Sequence, residues 1–500
     1  MPVHFETVNV SCIFQYPQNL MAATEQTFVD TPAWYVCIYT WHKPSQKQNQ
    51  TKLIMGTQCR ETLPPLQDLK VTIQNSCLVF PNQETAARRD SMFLSNIDQV
   101  LNFNVETVHF FASHADFPPQ TVAEKTKDAL GKILVSYDFL AGRLKLNAKT
   151  GRLEIDCNGA GAGFVVASSE CTLDEIGDLV FPNAAFAKLV VNSLDSLEKD
   201  GKLLCIIQVT SFKCGGFAMG ISTSHATFDG ISFKTFLDNL AGLAGGKPLA
   251  VTPYNDRELL AARSPPRVTF PHPELVKLQT HLGQELSVPV FDATQEALDF
   301  KIFRLSSSNV SDIKEKAKTN PTSRISGFNA VTAHIWRCKA LSHSQDPDRV
   351  STILYAVNIR PRLIPPLPES YTGNAVLTAY ANATGKELQE GPISKLVERV
   401  AEGSRRMTDE YARSAIDWGE IHKGIPHGDF LVSSWWKLGF DEVGYPWGCP
   451  KYSCPVVYHR KDILLLFPDI DDKNSVNVLV ALPSKEMEKF EILFHKFLSA

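Results

Sequence analysis

Ser224-His225-Ala226-Thr227-Phe228-Asp229-Gly230 sets a histidine and an aspartate four residues apart, opened by small polar residues and closed by glycine. The run before it, Gly216 to Thr223, reads as a strand. The run after it carries Phe233, Phe236, Leu237 and Leu240 at i, i+3, i+4 and i+7, which predicts a helix. His225 therefore falls where a strand gives way to a helix, a place from which a side chain reaches a cleft while its backbone stays fixed. Imidazole is the side chain best matched to proton transfer near neutral pH, so His225 is the first candidate for a general base. The pattern alone is common: with thirteen histidines, chance supplies about one His-x-x-x-Asp in a chain of this length. It equally describes a buried histidine beside a helix-capping aspartate.

The 500 residues are enough for more than one core. Hydrophobic residues make up 44% and charged residues 21%, the net charge is -4, and no long basic block occurs, which argues against nucleic acid as the main partner. No apolar run reaches the roughly 18 residues that span a bilayer. Met1 to Glu6 lacks a basic segment followed by an apolar core, so no secretory signal is expected. The eleven cysteines are scattered without a Cys-x-x-Cys pair, Cys449 and Cys454 being the nearest pair late in the chain. That usage predicts reduced, mostly buried thiols in a cytosolic protein, with Cys338 a core residue.

The chain reads as mixed α/β. Thr121 to Leu140 predicts a helix, Arg152 to Ile155 a strand, and Leu203 to Val209 and Gly216 to Thr223 two strands joined at Cys214-Gly215-Gly216. Pro248, Pro253, Pro265, Pro266, Pro271, Pro273 and Pro289 then hold the chain extended. A Pro-rich crossover, 247–296, thus separates an N-terminal domain, 1–246, from a C-terminal domain, 297–500. In the latter, helices are expected over Ser307 to Lys318, Phe328 to Leu341, Ile393 to Ala412 and Met487 to Phe497. Strands are expected over Thr352 to Asn358, Ile463 to Leu466 and Val476 to Leu482. Two mixed domains joined this way offer a cleft, a favoured place for a ligand.

Other constellations carry less. Gly159-Ala160-Gly161-Ala162-Gly163 fails the dinucleotide fingerprint, because Phe164 stands where the third glycine belongs, and reads as a sharp turn. Gly246-Lys247-Pro248 lacks the hydroxyl residue of a P-loop, and no Gly-x-Ser-x-Gly elbow occurs. His225 and Asp229 find no third ligand at a diagnostic spacing, so no metal is expected. Ser433-Ser434-Trp435-Trp436-Lys437 and Gly444-Tyr445-Pro446-Trp447-Gly448 suggest a shaped loop or hairpin, either a structural cluster under the surface or a wall of the cleft.

Taken together, these residues resemble the plant BAHD acyl-CoA-dependent acyltransferases over essentially the whole chain. His225-Ala226-Thr227-Phe228-Asp229-Gly230 fits that family's His-x-x-x-Asp-Gly motif. Phe139-Leu140-Ala141-Gly142-Arg143, Asp156-Cys157-Asn158-Gly159, Ala333-His334-Ile335-Trp336-Arg337, Asn358-Ile359-Arg360 and Tyr371-Thr372-Gly373-Asn374 match further landmarks in order. One landmark departs. The family's Asp-Phe-Gly-Trp-Gly is here Gly444-Tyr445-Pro446-Trp447-Gly448, which keeps the tryptophan and the last glycine. The departure puts loop geometry and coenzyme fit in question more than the base.

The resemblance implies two chloramphenicol-acetyltransferase-like domains with a solvent channel between them. Acyl-CoA would enter from one side as co-substrate, and a small-molecule alcohol or amine from the other. No cofactor is bound permanently and no covalent acyl-enzyme is needed. His225 would take the acceptor proton and return it to the CoA thiolate. Asp229 would point away from the channel and pair with Arg360, with Gly230 supporting the site. Ser433, Ser434, Trp447 and Gly448 are candidates for the coenzyme and channel walls, and Trp34, Tyr35 and Tyr39 for the acceptor side or for the core. The expected protein is a monomer of the cytosol, free or peripheral to the endoplasmic reticulum. The rival reading is a non-catalytic member that serves as a binding partner or scaffold for another enzyme.

Overall fold

The computed structural model describes residues 69–83, 89–180, 183–277, 297–456 and 461–499. Trp34, Tyr35 and Tyr39 lie outside them, as does the end of the crossover. Two six-stranded mixed sheets organise the chain. The first runs in the order Thr72–Val79, Ala162–Ser169, Cys205–Phe212, Phe217–Ser224, Asn104–Phe111, Tyr452–Pro455, all antiparallel except Ala162–Ser169 with Cys205–Phe212. The second runs Asp299–Leu305, Val476–Leu482, Ile463–Pro468, Phe430–Ser434, Val350–Asn358, Val376–Thr384, with Phe430–Ser434 parallel to both of its neighbours.

The last strand of the first sheet comes from the far end of the chain: Tyr452–Pro455 crosses back to pair with Asn104–Phe111, Tyr452 opposite Phe110. The two halves are therefore laced together by backbone hydrogen bonds. The crossover is tied down as well, Leu275–Lys277 pairing with Gly424–Pro426.

Helices cover the sheets on apolar stripes. Gly230–Ala244 buries Phe233, Phe236, Leu237 and Leu240, the residues whose spacing marked it. It packs beside Pro119–Ile133. The helix expected to reach Leu140 stops at Ile133 and is followed by a 3-10 turn, Asp138–Ala141. Tyr137 and Phe139 are both buried, and side chains two apart on an α-helix point to nearly opposite faces. The chain turns so that both rings reach the core, where Tyr137 meets Phe228 and Phe236. The run expected as one helix from Ile393 to Ala412 is two, Ile393–Arg406 and Asp409–His422. Thr408 caps the second by accepting from the Tyr411 amide. Ser433 and Ser434, expected in a loop or hairpin, end the central strand Phe430–Ser434, whose Phe430 and Val432 are buried.

Candidate active site

The strand Phe217–Ser224 is buried along its whole length and ends one residue before His225. The Thr227 amide and hydroxyl both donate to the Ser224 carbonyl, at 2.9 and 2.5 Å, closing a turn over 225–227. The His225 amide donates to the Phe103 carbonyl at 2.7 Å. Asp229 then caps the helix Gly230–Ala244: its carboxylate accepts from the Ser232 amide at 2.9 Å, and its own amide donates to the Ser232 hydroxyl at 3.0 Å. The helix-capping reading of Asp229 thus holds alongside the ion-pair reading.

Arg360 leaves the strand Val350–Asn358 and reaches the same carboxylate with both terminal nitrogens, at 2.7 Å to Oδ2 and 3.0 Å to Oδ1. The Ala375 amide adds a bond to Oδ2 at 3.0 Å. Burial alone would raise the Asp229 carboxyl; the Arg360 guanidinium and the Ser232 and Ala375 amides outweigh it and hold the group below its ordinary value. Arg360 also donates to the Gly373 and Tyr371 carbonyls, at 2.9 and 3.3 Å. Gly230 admits the loop after Phe430–Ser434, since a Cβ there would stand 2.6 Å from a Leu438 methyl.

His225 is half-buried, with the Phe103 ring edge-on at 5.0 Å. Its Nδ1 is the inward nitrogen and has no hydrogen bond of normal geometry, lying near its own carbonyl and the Asn374 carboxamide. Burial pushes the imidazole below its usual value; its own carbonyl, the Asp229 charge, Asn374 and Asp98 oppose this only in part. The ring is therefore neutral near pH 7, the form a general base needs.

The structure gathers His225, Asp229, Gly230 and Arg360 into one unit. Trp447 sits in a separate aromatic group. It stacks on Tyr445 at 5.2 Å and meets Phe111, Phe117 and Phe217 edge-on, with its indole nitrogen buried and unbonded. Gly448 follows at φ +103°, a conformation that favours glycine. Ser433 and Ser434 are half-buried four to five residues before Leu438. Sequence reasoning gave no role to Asp98 or Arg257 and met Asn374 only as the end of the landmark Tyr371-Thr372-Gly373-Asn374; all three lie beneath the turn, and the capping pattern Ser95-x-x-Asp98 is the local trace of Asp98.

Two other features lie apart. A cavity of about 280 Å³ in the second half is lined by Lys339, Arg349, Asp429 and Glu486 among others and shares no residue with the His225 turn. Ser414, His272 and Glu274 are lined up as in a hydrolytic triad, at 2.8 and 3.0 Å. All three are buried, and Ser414 Oγ already accepts from the Thr269 and Phe270 amides, so the set anchors the crossover. Among the described residues no group of three or more His, Cys, Asp or Glu is placed to hold a metal, and no helix is long and apolar enough to cross a membrane.

Residues 69–496 match the Transferase family. An Arabidopsis thaliana protein named acyltransferase GLAUCE is 62% identical over 450 residues, 88% of this chain and 99% of its own. The Arabidopsis thaliana omega-hydroxypalmitate O-feruloyl transferase is 33% identical over 85% of this chain and 93% of its own. In fold, the chain superposes on vinorine synthase with a TM-score of 0.65 at 23% identity, covering 84% of this chain and 96% of that one. An F. graminearum protein solved with coenzyme A and T-2 mycotoxin gives 0.64 at 14% identity, over 80% and 97%. The two sheet-rich halves of this chain are of the chloramphenicol-acetyltransferase type, and the chain belongs to the Transferase family, the BAHD acyltransferases.

Proposed function

We propose that the protein transfers an acyl group from acyl-CoA to a hydroxyl of a small-molecule acceptor, with His225 as general base and no covalent acyl-enzyme. The observation that carries this is the placement of His225 on a turn that the Asp229–Arg360 pair ties to the second half, with burial holding its imidazole below the ordinary value. With Nδ1 turned inward, Nε2 is the nitrogen left to take the acceptor proton. The oxygen attacks the thioester carbonyl, the C–S bond breaks, and the imidazolium returns the proton to the CoA thiolate. A base of this kind contributes roughly 10²- to 10⁴-fold.

The halves 1–246 and 297–500 are the proposed walls of the channel, joined through 247–296. Trp447, Gly448, Ser433 and Ser434 remain our assignment for the coenzyme side. A buried, unbonded indole N–H at Trp447 fits a donor awaiting a polar group. Relatives named omega-hydroxypalmitate O-feruloyl transferase and fatty alcohol:caffeoyl-CoA acyltransferase, 33% and 32% identical, support hydroxycinnamoyl-CoA as donor and a long-chain alcohol as acceptor. A relative named for N-hydroxycinnamoyl transfer, 30% identical, keeps amines in the acceptor panel. We place the protein in the cytosol or at the endoplasmic reticulum surface, as a monomer. The scaffold alternative loses support, because the base and its ion pair are fully assembled.

The test is free-thiol release from feruloyl-, caffeoyl-, acetyl- and palmitoyl-CoA with pooled alcohols and amines, beside His225→Ala. Acceptor-dependent release that the variant lacks is the expected result. Wild-type turnover in His225→Ala overturns the assignment of the base.

A further inference from the structure

Below the His225 turn lies a second buried ion pair that the base mechanism does not use. Asp98, in the short helix Asn96–Gln99, and Arg257, in the crossover, approach to 3.3 Å with both side chains fully enclosed. A buried pair of this kind is weak ground for stability, because desolvation offsets most of its attraction. Its contacts point to another use. Arg257 donates to the Thr227 carbonyl at 2.8 Å and to the Ala226 carbonyl at 3.4 Å. The His225 carbonyl accepts from the Asn374 carboxamide at 2.8 Å, and the same Nδ2 donates to Asp98 at 2.7 Å. Three successive carbonyls of the turn, 225 to 227, are thus held by one connected group of side chains.

That group is itself immobilised. The other Asp98 oxygen takes the Ser95 amide and hydroxyl at 2.9 and 2.8 Å. The Arg257 guanidinium lies over the Phe139 ring at 5.4 Å. A Cβ at Gly373 would stand 2.8 Å from Arg257 Cδ, so the backbone of the second half closes directly on it. Asp229 and Arg360 secure the turn at its helix end; nothing in that pair reaches the carbonyls of 225 to 227.

We propose that Arg257 and Asp98, linked through Asn374, are positioning residues for the base: they fix the height and tilt of His225 by gripping its turn from below, separately from the Asp229–Arg360 pair. The proposal rests on the reading of His225 as the base. The charged groups that bear on the ring are Asp98 and Asp229, each already paired with an arginine. Removing the Asp98 charge takes away one of the influences favouring the imidazolium.

The experiment compares kcat, KM for feruloyl-CoA and the pH profile of kcat/KM in wild type, Arg257→Lys, Asp98→Asn and His225→Ala. Lysine keeps the charge at 257 but has no fork to span two carbonyls and a carboxylate. Arg257→Lys is expected to lower kcat roughly 10- to 100-fold, the scale of a base misplaced by about an ångström, with KM within about threefold. Asp98→Asn is expected to lower kcat and to move the acid limb of the profile to lower pH. A purely structural role would move neither KM-independent turnover nor that limb. The proposal is overturned if both variants, folded by circular dichroism, keep kcat within about twofold of wild type. It is equally overturned if Asp98→Asn leaves the acid limb in place. Should Asp98→Asn not fold, Arg257→Lys decides alone by the split between kcat and KM. Full turnover in His225→Ala refutes the base itself; a dead His225→Ala beside Arg257→Lys and Asp98→Asn that both keep kcat refutes only the positioning role.

Discussion

Replacing Asp229 by asparagine separates the two tasks that this carboxylate performs. Asparagine caps a helix as well as aspartate does, so the bond from the Ser232 amide survives in the variant. The pairing with Arg360 does not. Oδ2 accepts from Arg360 at 2.7 Å and from the Ala375 amide at 3.0 Å, and an NH₂ placed there sets donor against donor. Arg360, only 5% exposed, keeps the Tyr371 and Gly373 carbonyls, Asn358 Oδ1 at 3.4 Å and the neutral Oδ1 of residue 229, but has no counter-charge. Breaking one side of a buried, hydrogen-bonded ion pair costs about 3–5 kcal/mol. Because backbone pairing laces the two halves into one unit of roughly 400 residues, each kcal/mol moves Tm by just over about 1 °C, so a fall of roughly 4–6 °C is expected. Asp229→Ala also loses the cap and should melt lower still, by about 1 kcal/mol. Differential scanning fluorimetry orders the three proteins, and CoA release measured below the first transition reports the turn. Asp229→Asn that melts within about 2 °C of wild type at full kcat would refute the view that this pair holds the turn carrying His225.

Two further outcomes follow from the same physics. Burial lowers His109 and His334 to about 3, from an ordinary 6.5, so below pH 6.5 the unfolded chain takes up protons that the folded chain refuses. Stability then falls with pH by about 1.4 kcal/mol per unit for each, roughly 4 kcal/mol together by pH 5, and a Tm that stays level from pH 7 to pH 5 would contradict this. Gly444→Asp, which restores the aspartate usual in the family, should leave Tm and KM for acyl-CoA unchanged, since a Cβ there meets nothing within 4 Å; a tenfold gain in kcat/KM would show that the lost carboxylate matters.

What the sequence revealed follows from how far each signal travels along the chain. His225 to Gly230 stood out because the alternation before it and the 3.6-residue period after it are local. Arg360, 131 residues from its partner, came only through resemblance to a family. Arg257 carries no local signal in the Pro-rich connection, and its contacts appear only when Asp98, Thr227 and Gly373 close around it. The strand Asn104–Phe111 carries buried polar residues that mask its pattern. Glu106 is bonded to Asn192 at 2.7 Å, and His109 lies between the hydroxyls of Thr107 and Ser453. Asn192 and Ser453 come from distant segments, Ser453 from the returning strand Tyr452–Pro455, so a local reading finds Thr107 but not the rest of the polar satisfaction that lets such residues sit in a sheet.

The altered signature, Gly444 to Gly448, shows the same logic from the other side. Its departure from the family raised a question about loop geometry, and the packing answers it. Tyr445 and Trp447 lie parallel, 12° apart, and press edge-on against Phe111 of the first sheet at 5.5 and 6.4 Å. Aromatic contacts in this arrangement contribute about 0.5–1.5 kcal/mol each beyond the area they bury. Position 444 itself faces open space, so the contacts that shape the loop come from the residues after it. Pro446 adds a second tie: a Cβ at Gly245 would lie 3.3 Å from its ring, at the C-terminal end of the helix that Asp229 caps. That helix is therefore secured at both ends by the second half, through Arg360 at its start and through Pro446 at its close. The turn that carries His225 leads into a helix held at both ends, and neither tie uses the side chain of position 444.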